Sequence, residues 1–101
     1  MEELPRHQLS ESELRDALKE LPGWTAQGGK LEKEFQFHDF SEAFGFMARV
    51  ALAADAMMHH PEWTNIYNKV SFRLWTHTHK AITNLDVDLA RKIETLSPPK
   101  R

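Results

Sequence analysis

The spacing of hydrophobic residues changes period at Pro61. Before it, Phe40, Ala43, Phe44, Met47, Ala51, Ala54 and Met58 recur at helical intervals. This predicts a long helix from about Phe40 to Met58 with those residues on its buried face. After it, Trp63 to Tyr67 form a β-branched and aromatic run, and Val70, Phe72 and Leu74 alternate with Lys69, Ser71 and Arg73. This predicts a third and a fourth strand, with a kink or bulge at Asn68-Lys69. Proline has no backbone N–H and a fixed φ, so the helix has to stop at residue 61. Two adjacent histidines, His59 and His60, therefore sit at a helix end, and His77 sits at the far end of the strand run.

Imidazole is the side chain whose unperturbed pKa lies nearest neutrality, so three together suit proton handling. A cation at a helix C-terminus also suits the helix dipole, which would account for one histidine. A pair beside Pro61 and Trp63, answered by His77, reads as a site. Apolar walls with a few polar groups at element ends are how small-molecule pockets are built.

The rest of the chain reads in the same terms. Residues 1–9 are polar and expected to fray. Ser10 and Glu13 have capping-box spacing, and Leu14, Ala17, Leu18 and Leu21 form one apolar stripe of a short helix that Pro22-Gly23 ends. Trp24 to Ala26 predicts a short strand, Gln27-Gly28-Gly29 a turn, and the run from Lys30 a second strand. In that strand Leu31, Phe35 and Phe37 share one face and Glu32, Glu34 and Gln36 the other. Lys33 interrupts the apolar face, near a sheet edge or with its stem laid across it. Asp39 and Glu42 have cap spacing before the long helix. The opposite side of that helix, with Ala48, Leu52 and Phe46, is also apolar, which suggests contact on a second face. Gly45 inside it suggests close packing. His77 to Thr83 reads as a loop, Thr83 and Asp86 as a capping pair, and Leu85, Leu89, Ile93 and Leu96 as the stripe of a last helix that Ser97-Pro98-Pro99 breaks, leaving a solvated basic tail. His7 and His38 are assigned to surface or turn positions.

The predicted order is α-β-β-α-β-β-α, an α+β fold with a four-stranded antiparallel sheet and helices packed on one face. At 101 residues it is expected to be a single domain, 1–101. Without cysteine it has no disulfide, thiolate or cysteine-ligated zinc chemistry. A net charge of −2 offers no general attraction for nucleic acid or an anionic membrane. No secretory signal and no membrane-length apolar run stands out, so a cytoplasmic location is expected.

At the level of motifs the chain resembles the pterin-4a-carbinolamine dehydratases. The likeness is carried by Phe35-Gln36-Phe37, Phe44-Gly45-Phe46-Met47, His59-His60-Pro61-Glu62-Trp63, Tyr67-Asn68-Lys69-Val70 and Thr76-His77 with Asp86 nine positions on, together with Asp55 four positions before the histidine pair. The resemblance implies the fold just read and a homodimer or homotetramer. It also implies loss of water from 4a-hydroxytetrahydropterin to give quinonoid dihydropterin, recycling the tetrahydrobiopterin of aromatic amino-acid hydroxylases without a metal or organic cofactor. The catalytic residues it implies are His59, His60, His77 and Asp86. His60 would be the acid at the 4a-hydroxyl, His77 the base and His59 the residue that orients the ring. Asp86 would hold one imidazole by hydrogen bond and favour its protonated form. Its other reading is a helix-start carboxylate stabilised by the dipole. Met58, Pro61, Trp63, Trp75, Thr76 and Thr78 are the expected substrate-binding residues. The chain departs from the family in the loop Thr78–Leu85, which lacks a glycine and carries His79 and Lys80.

Two other readings compete. His77-Thr78-His79 on a strand would aim two imidazoles to one side, and with His59, His60 and Asp86 could make a metal hydrolase. The apolar outer side of the long helix could instead serve a binding module that dimerises a transcription regulator.

Overall fold

Each helix begins at a side chain that satisfies its free N–H groups. The computed structural model describes residues 6–99; residues 1–5 and the basic tail at Lys100-Arg101 lie outside them. Helix α1 (Glu11–Lys19) opens on the predicted capping box. There Ser10 N–H donates to Glu13 Oε1 at 2.9 Å and Glu13 N–H donates to Ser10 Oγ at 3.2 Å. Its apolar stripe buries Ala17 and, just past the helix, Leu21.

Strands β1 (Thr25–Gln27) and β2 (Lys30–Gln36) form the expected hairpin around Gly28 and Gly29. Both glycines have positive φ (58° and 75°), which costs glycine nothing sterically. Lys33 lays its stem across the apolar face. Its Nζ lies 4.5 Å from the Phe35 ring centroid, donates to Pro22 O at 2.9 Å and pairs with Glu94, which also accepts from Trp24 Nε1.

Helix α2 (Phe40–Met57) starts at Asp39, whose carboxylate accepts from Glu42 N–H, and ends at Met58 in the left-handed conformation (φ 56°). Its buried face matches the predicted one at Ala43 and Ala54, with Met47 packed against the core, and differs elsewhere. Ala43, Phe46, Val50 and Ala54 are buried, whereas Phe40, Phe44, Ala51 and Met58 are exposed. Both sides of this helix are apolar, so periodicity alone could not choose between them. The sheet chose: Phe46 meets the rings of Phe37 (4.9 Å between centroids), Phe35 (5.2 Å) and Phe72 (6.0 Å). Among the described residues Gly45 answers no close approach, since a Cβ there would meet Arg49 Nη1 alone, at 3.6 Å.

Strands β3 (Glu62–Ile66) and β4 (Lys69–Leu74) are joined by Tyr67-Asn68. This is a two-residue reversal with Ile66 paired to Lys69, not the expected kink or bulge. Tyr67 takes positive φ (50°), and Asn68 fastens the turn to the end of β2. Its carbonyl accepts from Phe37 N–H and its amide donates to Phe37 O, both at 2.8 Å. Helix α3 (Asn84–Leu96) begins at the Thr83/Asp86 capping box.

The four strands make one antiparallel sheet in the order β1-β2-β4-β3. The α-β-β-α-β-β-α order and the α+β class are as predicted. Leu31, Val70, Phe72 and Leu74 point from the sheet into a core shared with Val50, Leu89, Ala90 and Ile93 of α2 and α3. Burying each large side chain there contributes about 1.5–3 kcal/mol. Glu32, Ser71 and Arg73 alternate with them and occupy the other face. Among the described residues no helix is long and apolar enough to cross a membrane.

Candidate active site

The left-handed Met58 turns the chain out of α2, and the next two residues point opposite ways. His59 N–H still reaches back to Ala54 O at 3.1 Å, and its ring goes inward, with the residue only 7% exposed. His60 goes outward and its Nε2 lies 3.2 Å from Asp55 Oδ1. Within this pair the inner ring is held in a buried network and the outer one stays at the solvent edge.

The network centres on Asp86, which is fully buried at the start of α3. His59 Nε2 sits 2.5 Å from Asp86 Oδ1. The other oxygen, Oδ2, accepts from the Thr76 hydroxyl at 2.9 Å and from Thr83 N–H at 2.8 Å. Thr76 spends its one hydrogen on Asp86, so the 2.7 Å contact between the two threonine hydroxyls has Thr83 as donor. Thr83 Oγ1 in turn accepts from Leu85 N–H at 3.3 Å. Donors thus surround the carboxylate, which leaves His59 Nε2 as the protonated nitrogen and Nδ1 as the one Asp86 does not engage. Asp86 therefore caps α3 and hydrogen-bonds an imidazole at the same time.

Strand β4 delivers the third histidine. Thr76 faces the interior, so Trp75 and His77, two residues apart, share the other side. Their ring centroids are 4.1 Å apart at 33°. Residues 77–80 then form a turn closed by Thr76 N–H to Ala81 O and His79 N–H to Thr76 O, with Lys80 at positive φ (51°). The H-x-H pair therefore does not lie on a strand, and His79 Nδ1 is engaged with Thr78 Oγ1 at 3.0 Å. Among the described residues no three His, Asp or Glu side chains gather as a metal would need.

One cavity of about 270 Å³ is lined by His59, His60 and His77 together with Met58, Trp75, Thr76, Thr78 and Arg6. Pro61 and Trp63 are not in it. They line an adjacent hollow with Ala51, Leu52, Asp55 and His60, and Trp63 packs on Phe72. His60 is common to both.

Two groups escaped the sequence reading. Arg6 lies in the stretch expected to fray, yet residues 7–9 are paired to the loop before α3: Leu9 N–H donates to Ile82 O, His7 N–H to Asn84 Oδ1, and Gln8 bridges Thr83. No periodicity announces a single bridge of that kind. The other is Glu62, which in the sequence stands out only within His59-His60-Pro61-Glu62-Trp63. Its carboxylate accepts from Trp75 Nε1 and from Arg73 Nε, each at 3.0 Å. The indole N–H above all, and then the Arg73 guanidinium, hold its pKa below the usual carboxylate range.

The family model described as Pterin 4 alpha carbinolamine dehydratase matches residues 7–96. The chain belongs to that family. It is 51% identical over 88 residues to a protein of Synechococcus sp. (strain WH7803) named "Putative pterin-4-alpha-carbinolamine dehydratase", covering 87% of this chain and 95% of that one. A protein of the same name from Solibacter usitatus (strain Ellin6076) is 51% identical over 89 residues, covering 88% and 94%. Among solved structures it is similar to a Brucella melitensis protein described as a transcriptional coactivator/pterin dehydratase. The TM-score is 0.88 at 44% identity, covering 91% of this chain and all of that one.

Proposed function

We propose that this chain dehydrates a 4a-hydroxytetrahydropterin to the quinonoid dihydropterin. The observation that carries the reading is that three imidazoles from two distant segments line one cavity, in a chain of this family. The cavity, at about 270 Å³, falls just below the roughly 300–1,000 Å³ of drug-sized ligand pockets, in keeping with a small bicyclic substrate. In the proposed reaction His60 gives a proton to the 4a-hydroxyl, so the C4a–O bond breaks and water leaves. The N5 electrons form the C4a–N5 double bond, and His77 accepts the N5 proton. Solvent at this open site restores both imidazoles to their starting states. His59, fixed by Asp86, orients the ring, and Met58, Trp75 and Thr78 are its neighbours in the cavity. The chemistry draws on imidazoles alone, with no metal or organic cofactor. The setting proposed is cytoplasmic recycling of tetrahydrobiopterin beside an aromatic amino-acid hydroxylase.

The test is to add the protein to a pterin-dependent hydroxylase reaction and follow decay of the 4a-hydroxy intermediate. Faster decay is expected, together with its loss in the His60→Ala, His77→Ala double variant. Unchanged decay with the wild-type chain removes the reading.

A second role is favoured by one surface. Phe40, Phe44 and Leu52 are exposed on α2 (48%, 57% and 75%), and the Phe40 and Phe44 rings lie 5.8 Å apart between centroids, tilted by 40°. An apolar helix face of this kind suits self-association into a dimer or tetramer, or a regulator partner such as the coactivator description of the Brucella protein suggests. Sedimentation of Phe44→Glu against wild type checks it. An identical mass for both would set the surface aside.

A further inference from the structure

Glu62, Trp75 and His77 form a chain of side-chain contacts that begins outside the cavity and ends in it. Glu62 pairs across the sheet with Arg73, so its carboxylate lies beside both Arg73 and Trp75 on the face away from the helices. Oε2 accepts from Arg73 Nε and Oε1 accepts from the indole N–H. Lys30 Nζ, arriving from β2, lies 3.8 Å from Oε1 and 4.8 Å from the indole centroid. Three strands thus converge on one ring. An indole has a single hydrogen-bond donor, and here it is committed to Glu62. His77 stacks on this ring, while no hydrogen bond among the described residues holds the His77 side chain.

We propose that Glu62 is a positioning residue, which acts through the Trp75 indole to hold the His77 imidazole in the cavity. An exposed imidazole on a turn has several staggered rotamers open to it. A ring locked by Glu62 and Lys30 offers a flat partner that selects one of them. The lowered pKa of Glu62 agrees with this, because an ionised carboxylate is the stronger acceptor for the indole N–H. The effect on turnover rests on the dehydratase reading above. The placement of the ring does not.

The experiment uses the full chain and two readouts. The first is the NMR shift of the His77 ring protons, which the Trp75 ring current displaces upfield at this separation; Trp75→Ala supplies the undisplaced reference. In Glu62→Ala the signals should move towards that reference. In Glu62→Gln, whose amide oxygen still accepts from the indole, they should stay near the wild-type position. Trp75→Phe, which keeps a ring but not the N–H, should behave like Glu62→Ala. The second readout is steady-state dehydration, where kcat should fall about tenfold in Glu62→Ala and recover in Glu62→Gln, with KM within about twofold. His77 signals unmoved by Glu62→Ala, or moved equally by Glu62→Gln, would overturn the proposal. If the wild-type chain shows no dehydration but the signals move as described, the dehydratase reading fails and the positioning of His77 stands.

Discussion

Asp86 binds His59 across 27 positions of sequence, and it does so from the residue that caps α3. One carboxylate therefore couples the start of a helix to the orientation of a ring in the cavity. Asp86→Asn tests that coupling. An amide presents one acceptor and one donor where three donors now converge. The Thr76 hydroxyl can rotate away, but either Thr83 N–H or His59 Nε2–H must then face an NH2 group. The variant should lose about 1–3 kcal/mol of stability, and dehydration should fall even where the protein is folded. Urea unfolding with activity measured below the transition checks both. Full activity in a destabilised variant would confine Asp86 to capping.

The two phenylalanines of the Phe44-Gly45-Phe46 motif should differ sharply. Phe46 is fully buried among the rings of Phe35, Phe37 and Phe72, and Phe46→Ala should cost about 3–5 kcal/mol. Phe44 is 57% exposed, and Phe44→Ala should change protomer stability by less than about 1 kcal/mol. Denaturant midpoints of the two variants, taken at low protein concentration, decide it. A larger loss for Phe44→Ala than for Phe46→Ala would mean that the helix packs with its other face inward.

Gly45 carries a cost that the protomer does not need. Among the described residues a methyl group there meets only Arg49 Nη1 at 3.6 Å, an ordinary contact with a flexible side chain. Gly45→Ala should raise stability by about 1 kcal/mol through helix propensity. Thermal melts of dilute protein measure this. A lower melting temperature would point to another chain seated against that position.

Stability should fall on acidification through carboxylates that fold into hydrogen bonds. Glu13 has its pKa lowered chiefly by the backbone N–H of Ser10, with the Ser10 hydroxyl and His7 adding to the effect. Because the folded value is depressed, its contribution is fully present above the unfolded carboxylate value and is lost as pH falls through the folded one. Glu62 has the same sign. Wild type should therefore melt above Glu13→Gln at neutral pH, and the gap should close below the usual carboxylate range. A gap that stays constant into strong acid would show that the charge plays no part.

The fold was largely legible because its signals are local. Cap pairs at Ser10/Glu13 and Thr83/Asp86, the glycine turn and the alternation in β2 and β4 all act within a few residues, and the structure places each where spacing predicts, while α2 ends at the left-handed Met58 before Pro61 is reached. The misreadings involve partners distant in sequence. The buried face of α2 depends on which rings the sheet presents. The Tyr67-Asn68 reversal is the exception, since it is held within the hairpin by Asn65 Nδ2 donating to Tyr67 O at 3.1 Å and Lys69 O at 2.9 Å. Arg6 reaches the cavity because residues 7–9 pair with the loop before α3. Pro61 and Trp63 are adjacent to the histidines in sequence, yet they line the neighbouring hollow.

By itself the sequence determined the elements, their order and the residue types available for proton transfer, since backbone sterics, capping and hydrophobic period act over one or two turns. Only the tertiary structure decided which histidine goes inward to Asp86, which stays at the rim with Asp55 and which stacks on Trp75. Those outcomes follow from antiparallel register and from packing α2 and α3 on one sheet, which bring together side chains that no local rule relates.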